Sequence, residues 1–391
     1  MTRNLLHVGA LADCRGRLCS PGAILLEGDS IIGVGRPEEV GAQHDTQITQ
    51  IDGTVVPSLV NTHTHLDLSD AGLSRPSSSF LEWLREDVAP IRQNATKETI
   101  CKAVKKGEKL SLNGGCLIVG DIAGTLTSAE AFQNTQLLGC SFVEVFGQGI
   151  KQEQGIAEIE KINGLYGVQP HAPYSCGPEV YSAAFASNLP LSTHLAEMPE
   201  ELEAVTHGTG DIVAFSKGIG AWDPTVRPWG VHPVDAICSI ATKPFIAAHC
   251  NYVAESQMQL LLKQGVTVVY CPRASKFFGH TKHNWKAMLN FGINVALGTD
   301  SLLCLNTPDR ISILDDMRLL YHQDDICPKK LFEMGTINGA KALGLDPSLV
   351  LLTPGKHAGL FVFNSVSSGS LSQILKSSEL PKLVVAPKSA N

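Results

Sequence analysis

"TVVPSLVNTHTH", residues 54–65, is an apolar run that ends in two histidines one residue apart. Its length and its valines suit a buried β-strand. Side chains at i and i+2 of a strand point to the same side. His63 and His65 therefore share a face, and Thr64 points away. Two imidazoles there can close on one ion. They can equally be two exposed histidines at a strand end, and the pair alone does not decide.

Seven further runs share the pattern: short, apolar, and closed by polar or reactive residues. They are "GCLIVGD" (115–121), "CSFVEVFG" (140–147), "GLYGVQPH" (164–171), "LPLSTHLAE" (189–197), "PFIAAHC" (244–250), "VTVVYCP" (266–272) and "INVALGTD" (293–300). Amphipathic segments lie between them. In 97–114, Ile100, Val104 and Leu110 oppose lysines that read as a solvated face, and 254–265 ends in a capping glycine. Eight buried strands alternating with helices predict an α/β fold, a (β/α)8 TIM barrel over residues 54–349. Residues 1–53 and 350–391 hold short strand-like runs with glycine turns. They are expected to form one small β-sandwich domain from both chain termini.

In such a barrel the reactive residues gather at the C-terminal ends of the strands. Here those ends carry His63, His65, Asp121, His171, His194, His249, Arg273 and Asp300. Five of the 13 histidines fall there, a bias that chance placement would not produce. His7, His44, His207, His232, His322 and His357 lie away from strand ends and read as surface or core.

His63, His65, His194 and Asp300 are ligands of the kind that suit Zn2+ or Fe2+. Glu197, three residues after His194, could accept a proton from a metal-activated water. His249 could orient that water or polarise the atom under attack. Each residue alone has a plainer reading. His249 in "AAHC" could be a satisfied core histidine, Asp300 an N-cap, Glu197 a helix-start charge and His171 a turn residue. Their joint occurrence at successive strand ends favours a metal site.

Bulk properties narrow the rest. The chain has 391 residues, 43% of them hydrophobic, and a formal net charge of −7. It lacks the basic surplus expected for nucleic acid or an anionic membrane. No apolar run approaches the roughly 18 residues of a membrane span, and the N-terminal stretch makes no convincing signal peptide. The 11 cysteines include no CxxC and read as reduced thiols of a cytoplasmic protein. HExxH, HxE…PCxxC and GxSxG motifs are absent.

Together, "NTHTHLD", "QPHAPYSC", "STHLAEMPEE", "AAHCNYV", "CPRAS" and "ALGTDS" resemble the amidohydrolase superfamily over nearly the whole chain. The closer likeness is to its branch of aromatic-heterocycle deaminases and chlorohydrolases. That branch includes methylthioadenosine/adenosylhomocysteine deaminases and aminofutalosine deaminases. The resemblance implies a barrel with a flanking β-domain and one divalent ion, usually zinc. It implies His63, His65, His194 and Asp300 as ligands, with Asp300 also catalytic. Glu197 would be the proton shuttle, His249 a contact to water or substrate, and His171 a substrate contact. The ends of the third and fourth strands carry no lysine to bridge a second metal.

Segments 77–86 and 271–280 most resemble the aminofutalosine group, although Ala274-Ser275 departs from the Ser-Asn common among relatives. The expected reaction is hydrolytic deamination of an amino-substituted heterocycle, an adenine-type nucleoside such as aminofutalosine. Trp83, Phe277 and Phe278 are candidates to stack on the ring. Arg75, Arg85, Arg227 and Arg273 are candidates to bind an anionic appendage. Segment 221–235, rich in Trp and Arg, is either a lid or a packed loop. The alternatives are hydrolysis of a halide or a cyclic amide on the same site and, of another class, a non-catalytic scaffold. The expected partner is a small molecule, with no nucleic acid or membrane, and a homo-oligomer remains open.

Overall fold

The structure, a computed structural model, describes residues 3–41, 46–75, 79–324 and 326–387. Five strands come first: β1 (Arg3–Asp13), β2 (Gly16–Cys19), β3 (Gly22–Glu27), β4 (Ser30–Gly35) and β5 (Thr46–Pro57). Eight short ones follow: β6 (Leu59–Thr64), β7 (Cys116–Ala123), β8 (Leu138–Val145), β9 (Gly167–Pro170), β10 (Ser192–Leu195), β11 (Ile246–His249), β12 (Thr267–Tyr270) and β13 (Asn294–Leu297). Near the C-terminus come β14 (Gly355–Lys356), β15 (Leu360–Phe363) and β16 (Lys382–Val385).

Strands β6 to β13 form the (β/α)8 barrel. They make two parallel arcs, β6-β7-β8-β9 and β10-β11-β12-β13. One seam is joined by the parallel bridge Val168–Leu191 and by His194 N donating to His171 O at 3.0 Å. At the other, Thr299 N and Asp300 N both donate to His63 O, at 3.0 and 3.1 Å. Both seams are thus held by backbone of residues expected to carry the chemistry. The outer helices form from local signals. In Lys97–Asn113, Thr96 and Thr99 make a reciprocal capping box, and Ala103, Val104 and Leu110 face inward. Among the described residues no helix is long and apolar enough to cross a membrane.

The remaining strands are hydrogen-bonded into a single eight-stranded sheet, in the order β14-β4-β3-β1-β5-β15-β16 with β2 on β1. Leu6, Leu11, Ile24, Val55, Leu360 and Val362 pack together within it. The expected first barrel strand, 54–65, is divided. Thr54–Pro57 pairs with β15, and the barrel begins at Leu59. The chain changes sheets at Ser58: Ser58 N bonds Gly359 O, while Leu59 N bonds Gly115 O, each at 3.0 Å. Both pieces are fully buried, so the apolar run is continuous and carries no mark of the crossing.

Candidate functional site

Six residues converge at the C-terminal end of the barrel. His63 lies near the end of β6 and His65 just past it, His194 lies in β10 and His249 ends β11, while Glu197 and Asp300 follow β10 and β13. All are buried. The non-glycine residues with positive φ among those described are Ala196 (50°), His249 (71°), Cys250 (51°) and Asp300 (60°). Such backbone costs about 1–3 kcal/mol per residue and persists where surrounding structure over-determines it. Here it turns side chains at three strand ends toward one point.

The imidazole centroids of His65, His194 and His249 lie 5.3, 5.1 and 5.4 Å from that of His63. Asp300 Oδ1 stands 3.4 Å from His65 Nε2 and 4.0 Å from His63 Nε2. Both ring nitrogens of His63, and Nδ1 of His65, are buried without a hydrogen-bond partner. Buried polar atoms are ordinarily satisfied, so these nitrogens fit a role as ligands to a cation. Burial pushes His63 and His65 well below the usual imidazole range, and His194 down to about 4. All three are therefore neutral at physiological pH, the form that binds metal.

Supporting bonds orient the set. His194 Nδ1 lies 2.9 Å from the carbonyl oxygen of His171. Donation there leaves the lone pair on Nε2, which Gln169 Nε2 approaches at 3.4 Å. Asn61 and Thr299 brace β6 against β13 with two bonds, of 2.9 and 3.1 Å. Ser301 N donates to Asp300 Oδ1 at 2.7 Å. Asp121, at the end of β7, accepts from Leu66 N and Ser141 Oγ and so fixes the turn after His65.

Glu197 Oε1 lies 3.5 Å from His249 Nε2. Burial, then the charges of Asp300 and Glu201, raise the Glu197 carboxyl well above its usual range. A carboxyl so placed holds a proton more readily than an ordinary carboxylate, as a proton carrier must. His249, neutral through burial, has an unpartnered Nε2.

These groups floor a cavity of about 550 Å³. His65, His194, Glu197, His249 and Asp300 reach into it, as do His171 and Trp83. Phe80, Leu81, Leu84, Ile212, Phe215 and Ile219 give it apolar lining, and Gln93, Gln148, Lys151 and Gln154 polar lining. Trp83 donates Nε1 to Ser74 Oγ at 3.2 Å and packs edge-on against Phe278. Phe277 and Phe278 are packed behind the cavity; Phe80 and Phe146 line it instead, with Phe146 stacked on His171 at 4.7 Å.

The arginines differ from expectation. Arg273 is buried, and its guanidinium is committed to Asp316, Ser312 O and Thr307. It does not line the cavity, because the helix it starts turns it toward Asp316. Arg75, Arg85 and Arg227 are exposed and also lie outside the lining. The cations that do line it are Arg92 and Lys151. Arg92 pairs with Asp67, in the turn after His65, and with Glu144 at 3.5 Å. Segment 221–235 is a packed loop at the cavity edge: Trp222 joins the cluster around Tyr174, and Trp229 donates to Pro173 O at 3.1 Å. His44 and residues 77–78 of the 77–86 segment lie outside the described residues.

Sequence reading passed over Glu144, Arg92, Glu201 and His283. Glu144 left a trace, as a carboxylate inside the apolar "SFVEVFG". The others are ordinary helix or loop residues whose partners lie on different elements.

A model of the amidohydrolase family matches residues 54–390. A 5-methylthioadenosine/S-adenosylhomocysteine deaminase of Pyrococcus abyssi is 26% identical over 363 residues, covering 84% of this chain and 77% of that protein. A 5'-deoxyadenosine deaminase of Methanosarcina mazei is 26% identical over 368 residues, covering 87% and 79%. The solved structure of Helicobacter pylori aminofutalosine deaminase superposes with a TM-score of 0.79 at 18% identity, covering 98% of this chain and 100% of that one.

Proposed function

The chain belongs to the amidohydrolase family, and on that premise we propose that it is a metal-dependent hydrolytic deaminase of an adenine-type nucleoside. The observation that carries this reading is the Glu197 carboxylate beside His249 and Asp300, next to unpartnered buried imidazoles on a cavity floor. His63, His65, His194 and Asp300 would hold one divalent ion, Zn2+ before Fe2+. When bound, such an ion lowers the pKa of a coordinated water toward neutrality.

Glu197 accepts a proton from the attacking water and delivers it to the departing amine. A C–O bond forms at the amino-bearing ring carbon, the C–N bond breaks, and ammonia leaves. His249 steadies the incoming oxygen through Nε2, and Asp300 adds a second acceptor beside it. His171, held through Nδ1 by Ser175 Oγ at 2.7 Å, turns its other edge to the substrate. Trp83 walls the cavity from above.

The relatives named for adenosine derivatives support the adenine ring. The four arginines expected to bind an anionic appendage do not line this cavity; Arg85 lines a pocket that adjoins it at Leu81, Phe215 and Ile219, and Lys151 lines the cavity itself. The test is ammonia release from methylthioadenosine, adenosine, aminofutalosine, adenine and guanine. The nucleosides should exceed the free bases in kcat/KM by about tenfold or more, because a free base leaves buried polar groups unpaired. Free guanine outperforming every nucleoside would overturn the nucleoside reading, and silence from all five would overturn deamination.

A further inference from the structure

Glu201 stands in the first turn of the helix Pro199–His207 and is wholly buried. Both its carboxylate oxygens are taken up by backbone. Oε1 accepts from Ala196 N at 2.9 Å, and Oε2 from Glu197 N at 2.7 Å. These are consecutive N–H groups, and the first belongs to a residue with φ of 50°. The left-handed turn at Ala196 points both away from any strand ladder, so a side chain must receive them.

The rest of this short segment is also tied down. Cys250 N donates to Leu195 O at 2.9 Å, and Tyr252 N to Ala196 O at 3.1 Å. Asn251 Nδ2 donates to Glu197 O at 2.9 Å, while Asn251 Oδ1 accepts from Ser275 Oγ at 3.0 Å. The side-chain carboxylate of Glu197 is left to face His249 and Asp300. A buried carboxylate is an expensive way to satisfy two N–H groups. It does what one neutral side chain cannot, receiving both with two rigidly spaced oxygens.

We propose that Glu201 is a positioning residue for proton transfer, a two-oxygen clamp on Ala196 and Glu197 that aims the Glu197 carboxylate at the reacting atoms. The assignment rests on the reading of Glu197 as proton carrier in the deaminase reaction. It makes Glu201 act on rate through Glu197 alone, and neither on metal binding nor on ground-state binding of substrate.

The experiment compares metal-loaded wild type, Glu201→Gln, Glu197→Gln and the double variant for kcat, KM and metal content on the best nucleoside substrate. Glutamine keeps one acceptor oxygen and replaces the other with a donor, so one N–H loses its partner. Glu201→Gln should lower kcat by about tenfold or more, a fraction of the roughly 10²–10⁴ that acid–base assistance supplies. KM should stay within about threefold and metal content should be unchanged. The double variant should be no slower than Glu197→Gln alone, since a residue acting through another adds nothing once that one is gone.

A kcat within about twofold of wild type in Glu201→Gln, or losses that multiply in the double variant, would overturn the clamp. If Glu197→Gln itself kept wild-type kcat, the reading of Glu197 would fail first and the clamp with it. Should Glu201→Gln accumulate unfolded, adding Ala196→Gly relieves the left-handed strain. The same comparison in that background keeps the question open to refutation.

Discussion

His283 and His249 are joined at the backbone: Nε2 of His283 donates to the carbonyl oxygen of His249 at 2.7 Å. His249 there has φ of 71°. Tyr270 stacks on the His283 ring at 3.9 Å between centroids. The bond fixes the turn that carries the His249 imidazole to Glu197. His283→Phe keeps the stacking and removes the donor. It should lower kcat roughly two- to tenfold, the worth of one hydrogen bond of about 0.5–1.5 kcal/mol. His283→Gln, which restores an N–H donor, should recover part of the loss. Equal kcat in all three proteins would show that the bond orients nothing.

Metal analysis of protein washed free of loose ions should find about one divalent ion per chain. His65→Ala should lower its affinity by about tenfold or more. A second ion is disfavoured because Glu144, which stands with His171 and His194, is already paired with the guanidinium of Arg92. Two equivalents in active protein would refute the single-ion assignment; none would remove the mechanism.

Metal affinity should fall with acidity along a shallow line. Burial raises Asp300 to about 6, so in metal-free protein it gains a proton as pH drops through about 6. Binding must expel that proton, at a cost of about tenfold in affinity per pH unit below about 6. The imidazoles contribute nothing in this window, because burial holds His194 near 4 and His63 and His65 well below the usual value. Titration of affinity against pH should give a slope of about one half near pH 6 that approaches one near pH 5. A slope near three would mean that the histidines take up protons as ordinary imidazoles do.

Gly124 has room for no side chain. A Cβ there would overlap the Arg92 guanidinium, which Asp67 and Glu144 hold in place. Gly124→Ala should therefore displace Arg92 and the helical stretch 80–93 that roofs the cavity. Overpacking of this kind costs about 1–3 kcal/mol, read as a lower Tm and a raised KM with metal content intact. An unchanged KM would separate Arg92 from the shape of the cavity.

The eight barrel strands were legible because each apolar run ends at a residue no core would choose. Six of the eight observed strands fall within the predicted runs, while β7 runs two residues past its run and β8 starts two residues before its own. The histidines and Asp300 were legible for the same reason. What stayed hidden depends on contacts between distant elements. Glu201 reads as a favourable charge at a helix start, and it is one; nothing local announces that its oxygens turn back to Ala196 and Glu197. Arg273 follows a strand end, but the direction of its side chain is decided by Asp316, on another helix. The crossing at Ser58 lies inside an unbroken apolar run, where periodicity carries no information about which sheet receives a residue.

The pairing of β5 with β15 has a consequence for how the molecule is made. Synthesis runs from the N-terminus, so β5 leaves the ribosome long before Leu360–Phe363 exists to cover its edge. Meanwhile the whole barrel is produced, including every residue assigned to the ion. An arrested chain that stopped between Asp300 and Leu360 would hold all four ligands, yet the strand leading directly into His63 and His65 would still present an open apolar edge. Such edges recruit other chains. An interrupted product is thus marked for chaperones or proteases rather than released as a feeble enzyme.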